Sequence, residues 1–407
     1  MNNKLVPSVR VVVAMSGGVD SSLAAFLLKE KGYDVIGITL KLWDYSEVGG
    51  DLYKDGRCCS LESMNDARNI CQKIGAPHYV LDFREQFKKK VISDFVNEYK
   101  KGRTPNPCIV CNTDIKWKLL WNKAKELGAD YLATGHYARI NYSDENGRYL
   151  LLKGADSTKD QSYALWGLSQ EYLSRTLFSL GELTKKEVRD LAIKHGLKTA
   201  QKEESQEICF VPDDDYERFL REWDDRDSEK SLNQIKTGPI YDLKKEKLGE
   251  HRGIPFYTVG QRKGLKIALG KPLYVVKIDP EENAIYVGEN KDLFRTSFIV
   301  SDVNWISIPE LKEKMECSVK IRYMHNPAKV TISPHSGQIF GANKLVEFDL
   351  EADARKSKLL HSTSSCTPER VLVKFEKPER AITPGQSAVF YEGEKVIGGG
   401  VIESVMS

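Results

Sequence analysis

Two stretches of this chain carry residues whose types and spacing could do chemistry. In TPNPCIVCN (Thr104 to Asn112), two prolines precede Cys108 and Cys111 in CxxC spacing. Such a pair can be half a metal site, a redox dithiol, a catalytic thiol with a helper, or two neighbouring core residues. Near the start, VVVAMSGGVDSSLAAFLL reads as a strand, a glycine turn and a helix N-terminus. Gly17 and Gly18 let the backbone approach a ligand, Ser16, Ser21 and Ser22 add hydroxyls, and the first-turn N–H groups point at an anion. Asp20 is placed to hold Mg2+ against phosphates. No Gly-x4-Gly-Lys-Ser/Thr occurs here, which excludes a Walker loop. The structural alternative is a tight turn with capping serines.

The elements that position these residues change character along the 407 residues. In the first two hundred, strand-like and helical runs alternate. The pattern predicts strands at Arg10 to Met15, Val35 to Leu40, His78 to Phe83 and Tyr131 to Thr134, with helices at Leu23 to Lys31, Ser63 to Ile74, Lys88 to Lys100 and Asp114 to Leu127. Strands alternating with helices of this length indicate an α/β fold with a doubly wound parallel sheet. An acidic segment after Phe210 (Asp213, Asp214, Asp215, Asp224, Asp225, Asp227) reads as a connection. Lys244 to Lys271 then holds eight Lys or Arg against two Glu, with Phe256 and Tyr257 among them. From Leu273 on, short alternating runs such as LYVVKI, AIYVG, SVKIRY, KVTIS, VLVKF and SAVFY predict a small antiparallel barrel or sandwich. The expected units are 1–210, a central unit 211–280 and a C-terminal β-barrel 281–407.

Composition bounds the function only loosely. Charged residues are 29%, hydrophobic residues 41%, and the net charge is +3, an ordinary soluble balance. No apolar run reaches the ~18 residues of a membrane span, and the N-terminal stretch lacks a signal-peptide core. The chain is therefore expected to be cytoplasmic, with its eight cysteines as thiols, metal ligands or transient catalytic disulfides.

The SGGVDS string resembles the signature of the PP-loop ATP pyrophosphatases, which bind the pyrophosphate end of ATP while an acceptor is adenylated at the α-phosphate. That resemblance implies an ATP site at Ala14, Met15, Ser16, Gly17, Gly18, Val19, Asp20 and Ser21, with Leu40 near the adenine and Gly135 of LATGHYAR close to the nucleotide. The further strings GRTPNPCIVCN, KDQSYAL, LGELTKKEVR, ESQEICF, YTVGQRKGL, IRY and PGQSAVFY occur in order over nearly the whole chain. Together they resemble the bacterial tRNA-specific 2-thiouridylases, the MnmA family.

The family resemblance implies a sulfurtransferase that adenylates the O2 of the wobble uridine (position 34) of tRNA and delivers sulfur to C2, forming 2-thiouridine, AMP and pyrophosphate. Carried over motif by motif, Cys209 is the persulfide carrier and Cys111 the partner nucleophile. Cys111 is expected to precede a helix capped by Asn112 or Thr113, whose N-terminus favours a thiolate. Asn106, Pro107 and Cys108 would line the base pocket and His136 would lie near the target. Lys159, Asp160 and Gln161, with Arg322, Tyr323 and Gln386, would contact tRNA. The basic stretch with Arg252, Arg262, Lys263, Lys266 and Lys271 would grip phosphates; its alternative is a solvated face.

One position departs from the pattern, because many members carry aspartate where this chain has Cys108. Cys108 is then either a stand-in for an acid–base group or, with Cys111 and Cys209, a ligand of a [4Fe–4S] cluster. The remaining cysteines (Cys58, Cys59, Cys71, Cys317, Cys366) read as structural or incidental. ATP and Mg2+ are the expected cofactors. A persulfide-donating carrier protein or desulfurase is the expected partner, and the chain is expected to be monomeric. The rival reading is a PP-loop ligase or amidotransferase acting on a small metabolite, which has no use for paired cysteines or a basic, β-rich second half.

Overall fold

The computed structural model describes residues 9–44, 48, 60–202, 208–226, 235–267, 269–335 and 370–406. Cys58, Cys59, Cys366 and Asp227 lie outside the described residues.

A five-stranded parallel sheet is built from β1 (Arg10–Ala14), β2 (Asp34–Lys41), β3 (His78–Asp82), β4 (Tyr131–Ala133) and β7 (Thr176–Leu177), in the order β3-β2-β1-β4-β7. The β-branched run of β1 feeds both faces, as strand alternation requires. Val11 and Val13 join Leu23, Ala24, Ala67, Ile70, Val188 and Ala192 on one side. Val12 joins Phe87, Phe95, Ile115, Trp117 and Leu120 on the other. The helices Val19–Glu30, Leu61–Lys73 and Lys185–Lys194 therefore cover one face, and the helical stretches 84–100 and 107–126 the other. The chain runs outward from β1 to β3 and then returns to add β4 on the opposite side of β1. That reversal makes a crevice at the C-terminal ends of β1 and β4, where open α/β sheets take their ligands.

The second half is antiparallel apart from one parallel pair, Ile285–Tyr286 beside Ile240–Tyr241. β8 (Gly238–Tyr241), β9 (Lys247–His251), β10 (Tyr274–Asp279) and β11 (Ala284–Gly288) form a four-stranded sheet, which thus extends through Gly288. β12 (Phe294–Trp305), β13 (Met315–Lys320), β14 (Ala328–Pro334), β15 (Val371–Arg380), β16 (Ser387–Glu392) and β17 (Lys395–Val405) close on themselves through the β12–β17 pairing. The result is a six-stranded barrel filled by Phe298, Val300, Val319, Ile332, Val373, Phe390 and Ile402. One hairpin of the first unit, β5 (Ala138–Ser143) and β6 (Arg148–Lys153), leaves its own sheet and meets the barrel at the Leu152–Lys395 pair.

Three local expectations are corrected. The first helix starts at Val19, before Leu23, because Gly18 already has the extended backbone of an N-cap. The acidic segment read as a connection contains the helix Tyr216–Arg226. There Asp215 accepts the Arg218 N–H at 2.9 Å as a cap, and Phe219 and Leu220 are buried in the core. The run SVKIRY ends as a strand at Lys320, so Arg322 and Tyr323 occupy the following turn, where Met324 is 84% exposed.

Candidate active site

The glycine–serine loop occupies the crevice. Gly17 sits at φ +74°, a conformation that side chains resist, and a Cβ there would lie 2.2 Å from the Ser63 carbonyl oxygen. Ser21 Oγ accepts the Ser16 N–H at 3.1 Å, and Ser22 Oγ donates to the Gly18 carbonyl at 2.8 Å. These bonds hold the turn in shape with the first-turn N–H groups of the helix Val19–Glu30 aimed out of it. From the other side of the crevice, the turn after β4 closes in. A Cβ on Gly135 would lie 2.7 Å from Ser21 N and 2.8 Å from Asp20 C. Gly135 is thus needed for the two strand ends to meet.

Asp20 has specific partners. Its Oδ1 accepts from the Tyr137 hydroxyl at 2.7 Å, and Lys185 Nζ donates to Oδ1 at 2.7 Å and Oδ2 at 2.9 Å. Lys185 also lies over the Tyr137 ring, 5.5 Å from its centroid, and its backbone N–H donates to Asp156 Oδ2 at 2.9 Å. Lys185 belongs to the LGELTKKEVR string, in which the motif alone points to no single residue. Its signal was a lysine at the start of a capped helix, since Thr184 and Glu187 form a capping box around it. Asp20 and the phosphates of a bound nucleotide together suit Mg2+, which commonly takes only one or two carboxylates beside phosphate oxygens.

The cysteine stretch differs from expectation in one respect. The helix begins at Pro107, with Asn106 as N-cap, and Cys111 has helical backbone angles (φ −60°, ψ −45°). Cys111 therefore lies in the second turn, while Cys108 occupies the first. Proline at the first helical position explains the earlier start, since its missing N–H would have had no partner there anyway. From Cys111 to Leu120 the helix is wound in the wider π manner, a departure frequent at functional sites. Cys108 is exposed, and Cys111 and Cys209 are each half-buried. Cys111 and Cys209 both pack against the large core that includes Val12, Phe95 and Phe210. Next to Cys209, the Phe210 ring is locked between Phe87, Phe95 and Phe219 at 5.2–5.6 Å. Among the described residues, no three or more His, Cys, Asp or Glu side chains gather to hold a metal ion. Cys108, Cys111 and Cys209 are not brought together as such a group. Cys71 and Cys317 are shielded thiols, pushed up to about 11 and about 12 by burial.

His136 follows Gly135. Its Nδ1 is 2.7 Å from Thr134 Oγ1, and its ring lies against Trp117 and Phe178 at 5.7 and 6.0 Å. Burial, with the Lys116 ammonium nearby, holds its pKa well below the usual histidine range. Lys116 itself donates to Asn112 Oδ1 at 2.8 Å, and buried Asn112 donates to the Ala164 carbonyl at 2.9 Å. The side chain of Asn112 therefore anchors the cysteine helix rather than capping it.

The residues expected to contact RNA divide into two kinds. Lys159 is half-buried, and Tyr323 is 39% exposed. Arg322 donates to the Arg380 carbonyl at 3.4 Å. Asp160, in contrast, is buried and accepts from Gly154 N, Ser162 N and Ser162 Oγ at 3.0–3.1 Å. Gln161 Oε1 accepts from Tyr137 N at 3.0 Å, and Gln386 Nε2 donates to the carbonyls of Thr104 and Pro105. Of the basic stretch, Arg262, Lys263 and Lys266 are exposed. Arg252 pairs with Glu217 at 2.9 Å and Lys271 with Glu289 at 2.7 Å.

Comparison with known proteins gives three family matches along the chain: "tRNA methyl transferase HUP domain" over residues 9–213, "tRNA methyl transferase PRC-barrel domain" over 229–289, and "Aminomethyltransferase beta-barrel domain" over 295–349 and 341–402. A tRNA-specific 2-thiouridylase MnmA of Carboxydothermus hydrogenoformans is 47% identical over 395 residues, covering 97% of both chains. The protein of that name from Clostridium perfringens (strain ATCC 13124) is 45% identical over 397 residues, covering 98% of this chain and 99% of its own. That from Salinibacter ruber is 47% identical over 398 residues, covering 97% and 94%.

Proposed function

The chain belongs to the MnmA family of tRNA-specific 2-thiouridylases, and from that premise we propose that it is an ATP-dependent sulfurtransferase forming 2-thiouridine at the wobble position of tRNA. The observation that carries this reading is the meeting of the glycine–serine loop, Asp20 and Gly135 at the sheet crevice, in a chain that also keeps Cys111 and Cys209 half-buried against its largest core.

The chemistry assigns each group a task. A uridine carbonyl oxygen is a poor leaving group, so O2 first attacks the α-phosphate of ATP and pyrophosphate departs. The N–H groups after Gly17 and Gly18 and the serine hydroxyls bind the departing pyrophosphate, and Leu40 borders the adenine. Lys185, displaced from Asp20 by the nucleotide, supplies positive charge to the same phosphates. When Mg2+ is bound, Asp20 holds it and it neutralises charge on the phosphates. The target base leaves the RNA stack and enters a pocket lined by Asn106, Pro107 and Cys108, with neutral His136 beside it.

The terminal sulfur of a Cys209 persulfide attacks C2, and AMP leaves with the former O2. The Cys111 thiolate then attacks Cys209 Sγ, the sulfur–sulfur bond breaks, and the sulfur remains on the base as the thiocarbonyl. The two electrons are balanced by a Cys111–Cys209 disulfide, which a dithiol reductant reopens. Cys108 stands in for the aspartate of other members as a proton-transfer group. Arg322, Tyr323, Lys159 and the exposed cations Arg262, Lys263 and Lys266 face the RNA. A persulfide-donating carrier protein or desulfurase loads Cys209, and the enzyme acts as a monomer in the cytoplasm. A small-metabolite ligase on the same ATP loop is not favoured, since it would leave the paired cysteines and the barrel without a task.

Nucleoside mass spectrometry tests the reading. Unmodified tRNA with a wobble uridine, incubated with ATP, Mg2+, a persulfide donor and this protein, is expected to yield 2-thiouridine in step with AMP and pyrophosphate. AMP released without thiolated nucleoside, under conditions where tRNA binds, would overturn it.

A further inference from the structure

The segment 103–106 leading into the cysteine helix is held largely by the barrel. Thr104 N donates to the Pro384 carbonyl at 2.9 Å. Gln386 Nε2 donates to the carbonyls of Thr104 (3.1 Å) and Pro105 (3.0 Å). Both partners are carbonyls, which identifies the facing group as the NH2. Between them Gly385 sits at φ +91°, and a Cβ there would lie 2.8–3.0 Å from the Thr104 backbone. The turn is itself fixed to β17, because Gly385 N donates to Ile402 O and Ile402 N to Gln386 O. Arg103 reaches the same strand, donating to the carbonyls of Glu403 and Ile402 at 3.0 and 3.2 Å. On the pocket side, Tyr163 donates to the Ser387 carbonyl at 2.9 Å and hydrogen-bonds Asn106.

The sequence explains why this outside brace is needed. Pro105 and Pro107 have no backbone N–H, so a TPNP segment offers few donors with which to fix itself. Its exposed handles are carbonyl oxygens, and a primary amide with two hydrogens matches two neighbouring carbonyls.

We infer that Gln386 is a positioning residue for the target-base pocket, acting through Thr104 and Pro105 rather than on the RNA. The inference rests on the reading of Asn106 to Cys108 as that pocket. With both amide hydrogens committed to protein, Gln386 keeps only its carbonyl oxygen for another partner. Through the Pro384–Gln386 turn, the barrel sets where Asn106 stands and how the helix bearing Cys108 and Cys111 begins.

The test uses the full-length enzyme and two substitutions. Gln386→Ala deletes the amide; Gln386→Glu keeps its size but sets a carboxylate against two carbonyls. Each is expected to lower the thiolation rate at saturating tRNA by about tenfold, the worth of two ordinary hydrogen bonds, with tRNA affinity unchanged. Amide exchange at Thr104 should quicken in both, while the helix Val19–Glu30 exchanges as before. A rise in the dissociation constant with an unchanged saturated rate makes Gln386 an RNA contact and overturns the inference. So does an unchanged rate, or unchanged exchange at Thr104. If the wild type forms no thiouridine, the pocket reading fails instead, and the exchange result still decides whether Gln386 braces the segment.

Discussion

At the scale of single residues, the division of labour between thiols and charges is open to direct test. Cys111→Ser and Cys209→Ser should each abolish thiolation while ATP and tRNA still bind; full product from either would sink the two-thiol route. Lys185, whose ammonium bridges both oxygens of Asp20, should matter to the first half-reaction. Lys185→Ala is expected to slow adenylation about a hundredfold, the usual effect of losing one donor to developing charge. Pyrophosphate release measured apart from sulfur transfer checks it, and an unaffected rate would reduce the lysine to a helix-end anchor. The motif reading singles out Cys111, Cys209, Asp20 and Gly135, because strings of local identity carry such positions. It passed over Lys185 because the value of that lysine lies in a contact with a residue 165 positions away, which no local pattern displays. For the same reason it assigns Asp160 and Gln386 to the RNA without showing that both make hydrogen bonds within the protein.

At the scale of elements, the parallel sheet and its helices were legible from periodicity, and the misplaced boundaries share a cause. The helices beginning at Val19 and Pro107 both start earlier than their apolar periodicity, because a cap geometry at Gly18 and a proline at position 107 fixed the first turn. The helix Tyr216–Arg226 was hidden by its acidic composition, although Asp215 caps it and its apolar side is buried. The closeness of β1 and β4 at the crevice yields a further prediction. Gly135→Ala must push its Cβ into the backbone of Asp20 and Ser21. It is expected to cost about 1–3 kcal/mol of stability, as overpacking does, and to weaken ATP binding more than tRNA binding. Thermal melts with and without ATP would show this; a variant with full stability and affinity would mean that the two turns can part freely.

At the scale of the whole molecule, burial gives the fold a pH dependence of definite sign. His78, His136, His251 and His325 all have pKa values lowered from the ordinary 6.5, chiefly by burial. His136 also feels Lys116; His325 feels Arg322 and Lys320, which Glu379 opposes. The unfolded chain therefore binds protons that the folded chain refuses as pH falls through that value, and stability must drop on the acid side. Thermal midpoints are expected to fall between about pH 7.5 and about pH 5.5; a flat profile would mean that these rings accept protons in place. The exposed cations make a second whole-molecule prediction. Arg262→Ala and Lys263→Ala should each reduce the salt slope of tRNA affinity by about one unit if both grip phosphates, and an unchanged slope would assign them to bare solvent.

The β5–β6 hairpin carries a consequence for how the protein is made. Leu152 of β6 pairs with Lys395 of the sixth barrel strand, so one edge of an early-synthesised unit waits for a strand made much later. During translation the nucleotide-binding sheet has all its strands long before β17 emerges, whereas the hairpin edge stays uncovered, the kind of edge that invites pairing with a stranger. Arg139, reaching Glu394 at 2.8 Å, and Lys153, lying over the Tyr391 ring, set charge along that edge in the interval. β17, made after every other strand of the barrel, thus finishes the barrel and seals the first-made unit in a single event, so a nascent chain stalled before it should be the form most prone to aggregate.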